Sequence, residues 1–301
     1  ITYDDPDKLR SSLLLHVRKT AAEHGIRNTA EFLSYSFSTL ITDLAKKYGE
    51  DVVVLIDEYD KPIIEHLGKG KSGLETAKVN RDVLKSFFGV LKAGDVSAVL
   101  RFVFVTGISK FARVSIFSDL NNLNDISMDR RYCDILGYTE EELLRFFSEC
   151  ITLMSSESGT ARNELVRKIR RWYDGYRFTA LDRRVYNPFS VVRLFEAGEF
   201  ENFWFETATP SFLLSLIREQ NYPISDIENL DLPKESFAVY DLDRLRLEPL
   251  LFQTGYITIR HFDNILYRMD YPNQEVKTSF LAYLLDGMIR PGDIRLAGVY
   301  K

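Results

Sequence analysis

Cysteine is scarce: Cys133 and Cys150 are the only two in 301 residues. Their spacing fits no metal-binding pattern and builds no disulfide framework, so a reducing cytoplasm is the expected compartment. Histidine is nearly as rare. His16, His24, His66 and His261 stand apart, and none falls in an H-E-x-x-H or similar ligand pattern. Long apolar runs are missing. "VVVLI" and "FVFV" are far short of a membrane span, so no membrane partner is expected. Positive charge is not in excess: 39 Lys and Arg stand against 44 Asp and Glu, a formal net charge of -5. No overall basic field points to nucleic acid or to an anionic membrane surface. No internal repeat, low-complexity segment or signal peptide stands out. The first residue is Ile rather than Met, so the chain is expected to begin inside a longer product.

What is present is ordinary globular material, 45% hydrophobic and 28% charged, enough for a core and for two domains. Leu9, Leu13 and Val17 recur at helical spacing within residues 6–24, and Phe32, Phe37, Leu40, Ile41 and Leu44 do so within 29–48. Gly25 and Gly49 suit the ends of these helices. Val52–Ile56 is a continuous apolar run, the pattern of a strand buried on both faces of a parallel sheet. A short helix near 60–66, a polar glycine-containing loop and a helix at about 75–93 follow. Arg101–Val105 reads as a second strand. Helix and strand alternate through this first third, which argues for an α/β domain.

The texture then changes. Thr139 and Glu142 form a capping box that opens a helix to about 153. A charged helix is expected over roughly 160–173. Asn187-Pro188 and Thr209-Pro210 each read as a cap followed by a proline in the first turn. The tail predicts a helix over about 241–253, a hairpin turning at Asp263-Asn264 and one more helix. That order is compatible with a small winged helix.

The chemistry lies where the first strand stops. Asp57 and Glu58 follow "VVVLI" directly. Ligands of open α/β sheets collect at the carboxyl ends of the strands. There Asp57 would hold Mg²⁺, directly or through water, and Glu58 would polarise an attacking water. The plainer alternative is that the pair only starts a turn or caps the next helix, which Pro62 helps to begin. The second strand ends in "TGISKF". Thr106, Ser109 and Lys110 could touch a γ-phosphate or the lytic water, and Arg113 could reach a phosphate; a simple turn at Thr106-Gly107 is the alternative. A phosphate-cradling loop of the form G-x-x-x-x-G-K-[ST] is absent. The one lookalike, "GKGKSG" at residues 68–73, has Glu65 where the first glycine is needed and lies after the acidic strand, so a flexible surface loop is expected there.

Seven strings occur in order: "VVVLIDEYDKPI", "FVFVTGISKFARVSIFSDLNNLNDIS", "LGYTEEEL", "WYDGYRF", "YNPFSV", "FWFETATPSFL" and "LLFQTGYITI". Together they closely resemble the bacterial AAA-ATPase-like family, in which the ATPase region is often followed by a PD-(D/E)XK nuclease-like domain. The resemblance runs from about residue 5 to about residue 285. It implies a P-loop NTPase-like (AAA-type) α/β core with a parallel sheet, N-terminally truncated here, then a helical lid and a winged-helix-like segment. The corresponding divisions are residues 1–137, 138–232 and 233–301. It also implies ATP and Mg²⁺ as cofactors, with Asp57 and Glu58 as the Walker B acids and Thr106 to Lys110 following the sensor strand. Family members carry a Walker A loop roughly a hundred residues before the acidic pair and continue into the nuclease-like domain; this chain does neither in a recognisable form.

Trp172, Tyr173, Tyr176 and Phe178 are expected to pack the lid rather than stack on adenine. Asn121, Asn122 and Asn124 suit a turn. Asp60 and Lys61 either pair locally or bridge to the sensor loop. Three functions compete: an ATP-Mg²⁺ hydrolase core, a non-catalytic module that binds DNA or protein, and a nuclease. The last fails on pattern, because Tyr59 stands two residues before Lys61 where an acid is needed. Arg244, Arg246, Arg260 and Arg268 offer phosphate contacts in the tail, though winged helices also bind proteins. A homo-oligomer would be in keeping with AAA-type proteins.

Overall fold

The computed structural model describes residues 1–109, 116, 123–204, 211–223, 227–228, 230–237, 242 and 245–288. The chain divides into two compact units, residues 1–124 with 238–247, and residues 125–237 with 248–301. It is a mixed α/β protein.

The first unit opens with α1 (Pro6–Glu23). Asp5 caps it, accepting from the N–H groups of Asp7 and Lys8, and Pro6 takes the first helical position. α2 (Leu33–Tyr48) ends on Gly49 in the left-handed region at φ 69°. β1 (Val52–Ile56) follows, then the single turn α3 (Lys61–Ile64), α4 (Gly70–Gly89), the short α5 (Gly94–Ser97) and β2 (Leu100–Val105). Helices α1, α2 and α4 pack on one another. Leu9, Leu13, Val17, Leu40, Ile41, Ala77, Val83 and Leu84 are buried, and Phe37 stacks on Phe87 with ring centroids 4.4 Å apart.

Two expectations are corrected here. The "GKGKSG" stretch is not a loop before a helix at 75. α4 starts at Gly70, and Gly73 lies within it at a position where a Cβ would overlap the His66 carbonyl oxygen. That glycine serves close backbone approach, not flexibility. Nor is β1 buried on both faces. Its exposure alternates, with Val53 48% and Leu55 71% exposed, and Phe102 of β2 is 53% exposed. Val53 and Phe102 are partners in the register, so this exposure lies on one face of the pair within the described residues.

β1 and β2 are parallel, with Ile56 opposite Val105 at the end of the register. The ladder continues one step further: the Thr106 N–H donates to the Ile56 carbonyl at 2.8 Å. Both strands therefore deliver their next residues, Asp57 and Thr106, to the same end of the sheet.

The second unit is mostly helical, with α6 (Glu140–Phe146), α7 (Ser148–Ser158), α8 (Arg162–Tyr173), α9 (Pro188–Ala197) and α10 (Ser211–Glu219). The capping box is present: the Thr139 N–H donates to Glu142 Oε2 at 2.8 Å and the Glu142 N–H to Thr139 Oγ1 at 3.2 Å. The helix it opens is shorter than expected, because the chain breaks at Phe147 (φ −108°) before α7 resumes. Asn187 caps α9, accepting from Phe189 and Ser190. Thr209 and Pro210 lie outside the described residues. Leu143, Ile151, Leu165, Ile169, Tyr173, Tyr186 and Leu194 form the core. The tail adds β3 (Leu230–Pro233), α11 (Leu247–Gln253), β4 (Thr258–Phe262), β5 (Leu266–Asp270) and α12 (Gln274–Met288). The antiparallel sheet has the order β3-β5-β4. Asp263 Oδ1 accepts from Ile265 and Leu266, and Asn264 takes φ 77°, which together close the β4–β5 hairpin. β3 was not expected as a strand.

Candidate active site at the carboxyl end of the parallel strands

The parallel pair brings Asp57, Glu58 and Thr106 together. Thr106 Oγ1 donates a short hydrogen bond to Asp57 Oδ1. The same oxygen accepts the Glu58 N–H at 3.0 Å. Asp57 Oδ2 has no partner among the described residues, and the side chain is exposed. One carboxylate oxygen is thus oriented by two donors, while the other takes no hydrogen bond from the described residues.

Glu58 is exposed and sits in the left-handed region at φ 50°. Only three described non-glycine residues do so, and for a glutamate that geometry is costly. Its carboxylate pairs with Lys61 Nζ at 3.1 Å. The hydrogen bond to Glu58 and its charge push the Lys61 ammonium above its ordinary range.

Ser109 is turned away from solvent. It is 3% exposed, and its hydroxyl donates to Asp60 Oδ2 at 2.8 Å. Of the two alternatives for Asp60, the structure takes the bridge to the segment after β2. Asp60 is fully buried and also accepts the N–H groups of Ile108 at 3.2 Å and Ser109 at 2.5 Å. Burial pushes its carboxyl above the usual range, against the lowering effect of those donors. Tyr59 adds to the bridge, its hydroxyl donating to the Ser109 carbonyl at 2.6 Å and its N–H to the Thr106 carbonyl at 3.1 Å. Lys110, Arg113, Asn121 and Asn122 lie outside the described residues, as does Arg244.

The donor set suits Mg²⁺. That ion takes oxygen ligands and usually needs only one or two carboxylates, the remaining positions going to water and phosphate. No group of three or more metal-type side chains occurs among the described residues. One exposed carboxylate, Asp57, held by Thr106, is compatible with so sparse a demand on the protein.

In the second unit, the tail arginines are engaged. Arg260 donates to the Tyr271 carbonyl at 2.6 Å, and Arg268 pairs with Asp231 at 3.2 Å. Tyr173 is fully buried and Tyr176 is 7% exposed, so these aromatics are packing residues here.

Residues 1–117 match the AAA-ATPase-like family, described as "Predicted AAA-ATPase". That match takes in β1, β2 and the whole cluster just described. A curated relative from Azotobacter chroococcum mcd 1, titled an uncharacterized protein in the vnfD 5' region, is 40% identical over 253 residues. The alignment covers 83% of this chain and 46% of the relative, so the chain spans about half the length of that curated relative. No solved structure matches. No helix among the described residues is long and apolar enough to cross a membrane.

Proposed function

We propose that the protein binds ATP with Mg²⁺ and hydrolyses its terminal phosphoanhydride bond at the Asp57–Glu58–Thr106 cluster. The observation that carries this reading is the hydrogen bond from Thr106 to Asp57 at the carboxyl end of a parallel strand pair. Such an end is where α/β sheets hold their ligands. Asp57 would hold Mg²⁺ through Oδ2, while Thr106 and the Glu58 N–H fix Oδ1. Mg²⁺ would supply charge neutralisation on the phosphates. Glu58, whose carboxylate is exposed and paired with Lys61, would accept a proton from the attacking water. Lys110 and Arg113 are assigned to phosphate contacts, and the phosphate-cradling loop to chain outside residues 1–301. The three-part division into core, lid at 138–232 and winged-helix-like segment at 233–301 belongs to the same proposal. So do a DNA or protein partner for the tail, a homo-oligomeric state and a cytoplasmic location.

A second reading, an interaction module descended from an ATPase, draws on the exposed apolar face of Val53, Leu55 and Phe102. One assay separates the two. Phosphate release from ATP by the full-length protein is measured with Mg²⁺ and with EDTA. Release that requires Mg²⁺ is the expected result. No release with Mg²⁺ present would overturn the ATPase reading and leave the interaction module.

A further inference from the structure

Asp60 occupies a position where an aspartate usually does something else. It immediately precedes α3, beside a proline in the first turn, and an aspartate there normally accepts from the helix's own first N–H groups. Asp60 makes no such cap bond. Both its oxygens reach instead across to the segment after β2, taking the Ile108 N–H on Oδ1 and the Ser109 N–H and hydroxyl on Oδ2. The approach is close. A Cβ at Gly107 would lie 2.6 Å from Asp60 Oδ1 and would overlap the Tyr59 ring.

A fully buried carboxylate is expensive unless its donors compensate, and three donors from one loop hold this one. Tyr59 grips the same loop through its N–H and its hydroxyl. The four residues after β1 and the four after β2 are thereby fastened along their whole length. Asp57 and Thr106 are the solvent-facing end of that seam, and Asp60 and Ser109 its buried end.

We infer that Asp60 is a positioning residue: by clamping Ile108 and Ser109 it holds Thr106 at hydrogen-bond distance from Asp57 and so presets the magnesium-binding carboxylate. The inference rests on the ATPase reading for its catalytic consequence, but not for the clamp itself. Ser109 acts in this clamp through Asp60. Groups that orient a metal ligand in this way typically change metal affinity or activity by about 10-fold to 100-fold when removed.

The test uses the full-length protein with Asp60→Asn, Thr106→Val and the double variant. Asn keeps the shape and one acceptor but leaves a Ser109 donor without an anionic partner. Hydrogen exchange at the Ile108 and Ser109 amides should rise in Asp60→Asn and stay near wild type in Thr106→Val. The Mg²⁺ concentration for half-maximal turnover should rise in both, with turnover down by about 10-fold or more and the KM for ATP at saturating Mg²⁺ little changed. Because Asp60 acts through Thr106, the double variant should be no worse than the more impaired single one. Ser109→Ala, which keeps its N–H bond to Asp60, gives the same pattern in weaker form and covers the case in which Asp60→Asn folds poorly. Unchanged amide exchange, or additive losses in the double variant, would overturn the inference. If the wild type shows no turnover, the ATPase reading fails on its own, and the amide exchange alone decides the clamp.

Discussion

Glu58 combines a strained backbone with an exposed carboxylate. A left-handed conformation costs an L-residue roughly 1–2 kcal/mol, which glycine avoids. We expect Glu58→Gly to leave stability within about 1 kcal/mol of wild type, the relieved strain offsetting the added chain entropy. Its turnover should be lost. Urea unfolding checks the first half; a loss well beyond that range would mean the side chain holds the turn together. Gly107 makes the opposite case. Its missing Cβ leaves room for the Tyr59 ring and Asp60, so Gly107→Ala should cost about 1–3 kcal/mol, read as a lower urea midpoint. Asp57 and Glu58 were legible because a β-branched run ends on them abruptly. The choice between partners for Asp60 was not, since its acceptor role depends on Ser109, 49 residues along the chain. No local pattern encodes such a pairing. The same distance hides the inward turn of Ser109, whose sequence neighbours look like those of a ligand-facing residue.

At the level of single elements, local chemistry was read well where it closes within a few residues. The Thr139–Glu142 box, the Asn187 cap and the Asp263-Asn264 turn are all of this kind. Thr139→Ala should therefore cost about 1 kcal/mol, measured as a shift in the thermal midpoint; no shift would mean the box is replaced by water. Elements shaped by distant packing were misread. Gly73 looked like loop composition, but its role is set by the His66 carbonyl. β3 carries little signal of its own because it is four residues long, contains Pro233 and, among the described residues, pairs only with β5, as an edge strand can. Gly175 in "WYDGYRF" is the strictest of these positions. It has φ 120°, and a Cβ there would overlap the Pro272 carbonyl oxygen. Gly175→Ala should destabilise the second unit by more than about 2 kcal/mol, visible in tryptophan fluorescence during urea unfolding.

Across the whole molecule, alternation of helices with apolar strands made the α/β class legible, whereas the solvent-facing side of β1 was not, because apolar composition does not show which face is covered. The second unit also holds a buried acid. Glu275 is fully buried, accepting from the Ser190 hydroxyl and the Trp204 N–H, and burial raises its pKa to about 7. Unfolded, it would titrate near 4.5. Between those values the folded form binds the extra proton, so the Glu275 contribution to stability is fully present below about pH 4.5 and is lost as pH rises through about 7, by on the order of 3 kcal/mol. Both tryptophans of the chain, Trp172 and Trp204, lie in this unit, so their fluorescence follows its unfolding directly. Glu275→Gln should flatten the dependence between pH 5 and pH 8 relative to wild type. An unchanged slope would show that Glu275 is ionised throughout.

In the proposed reaction Glu58 handles the proton of an attacking water beside Asp57, which would hold Mg²⁺. Glu58→Gln in the full-length protein tests it most directly, with ATP binding and phosphate release measured on the same sample. ATP should stay bound with near wild-type affinity while phosphate release falls by about 100-fold or more. Turnover equal to wild type would contradict it.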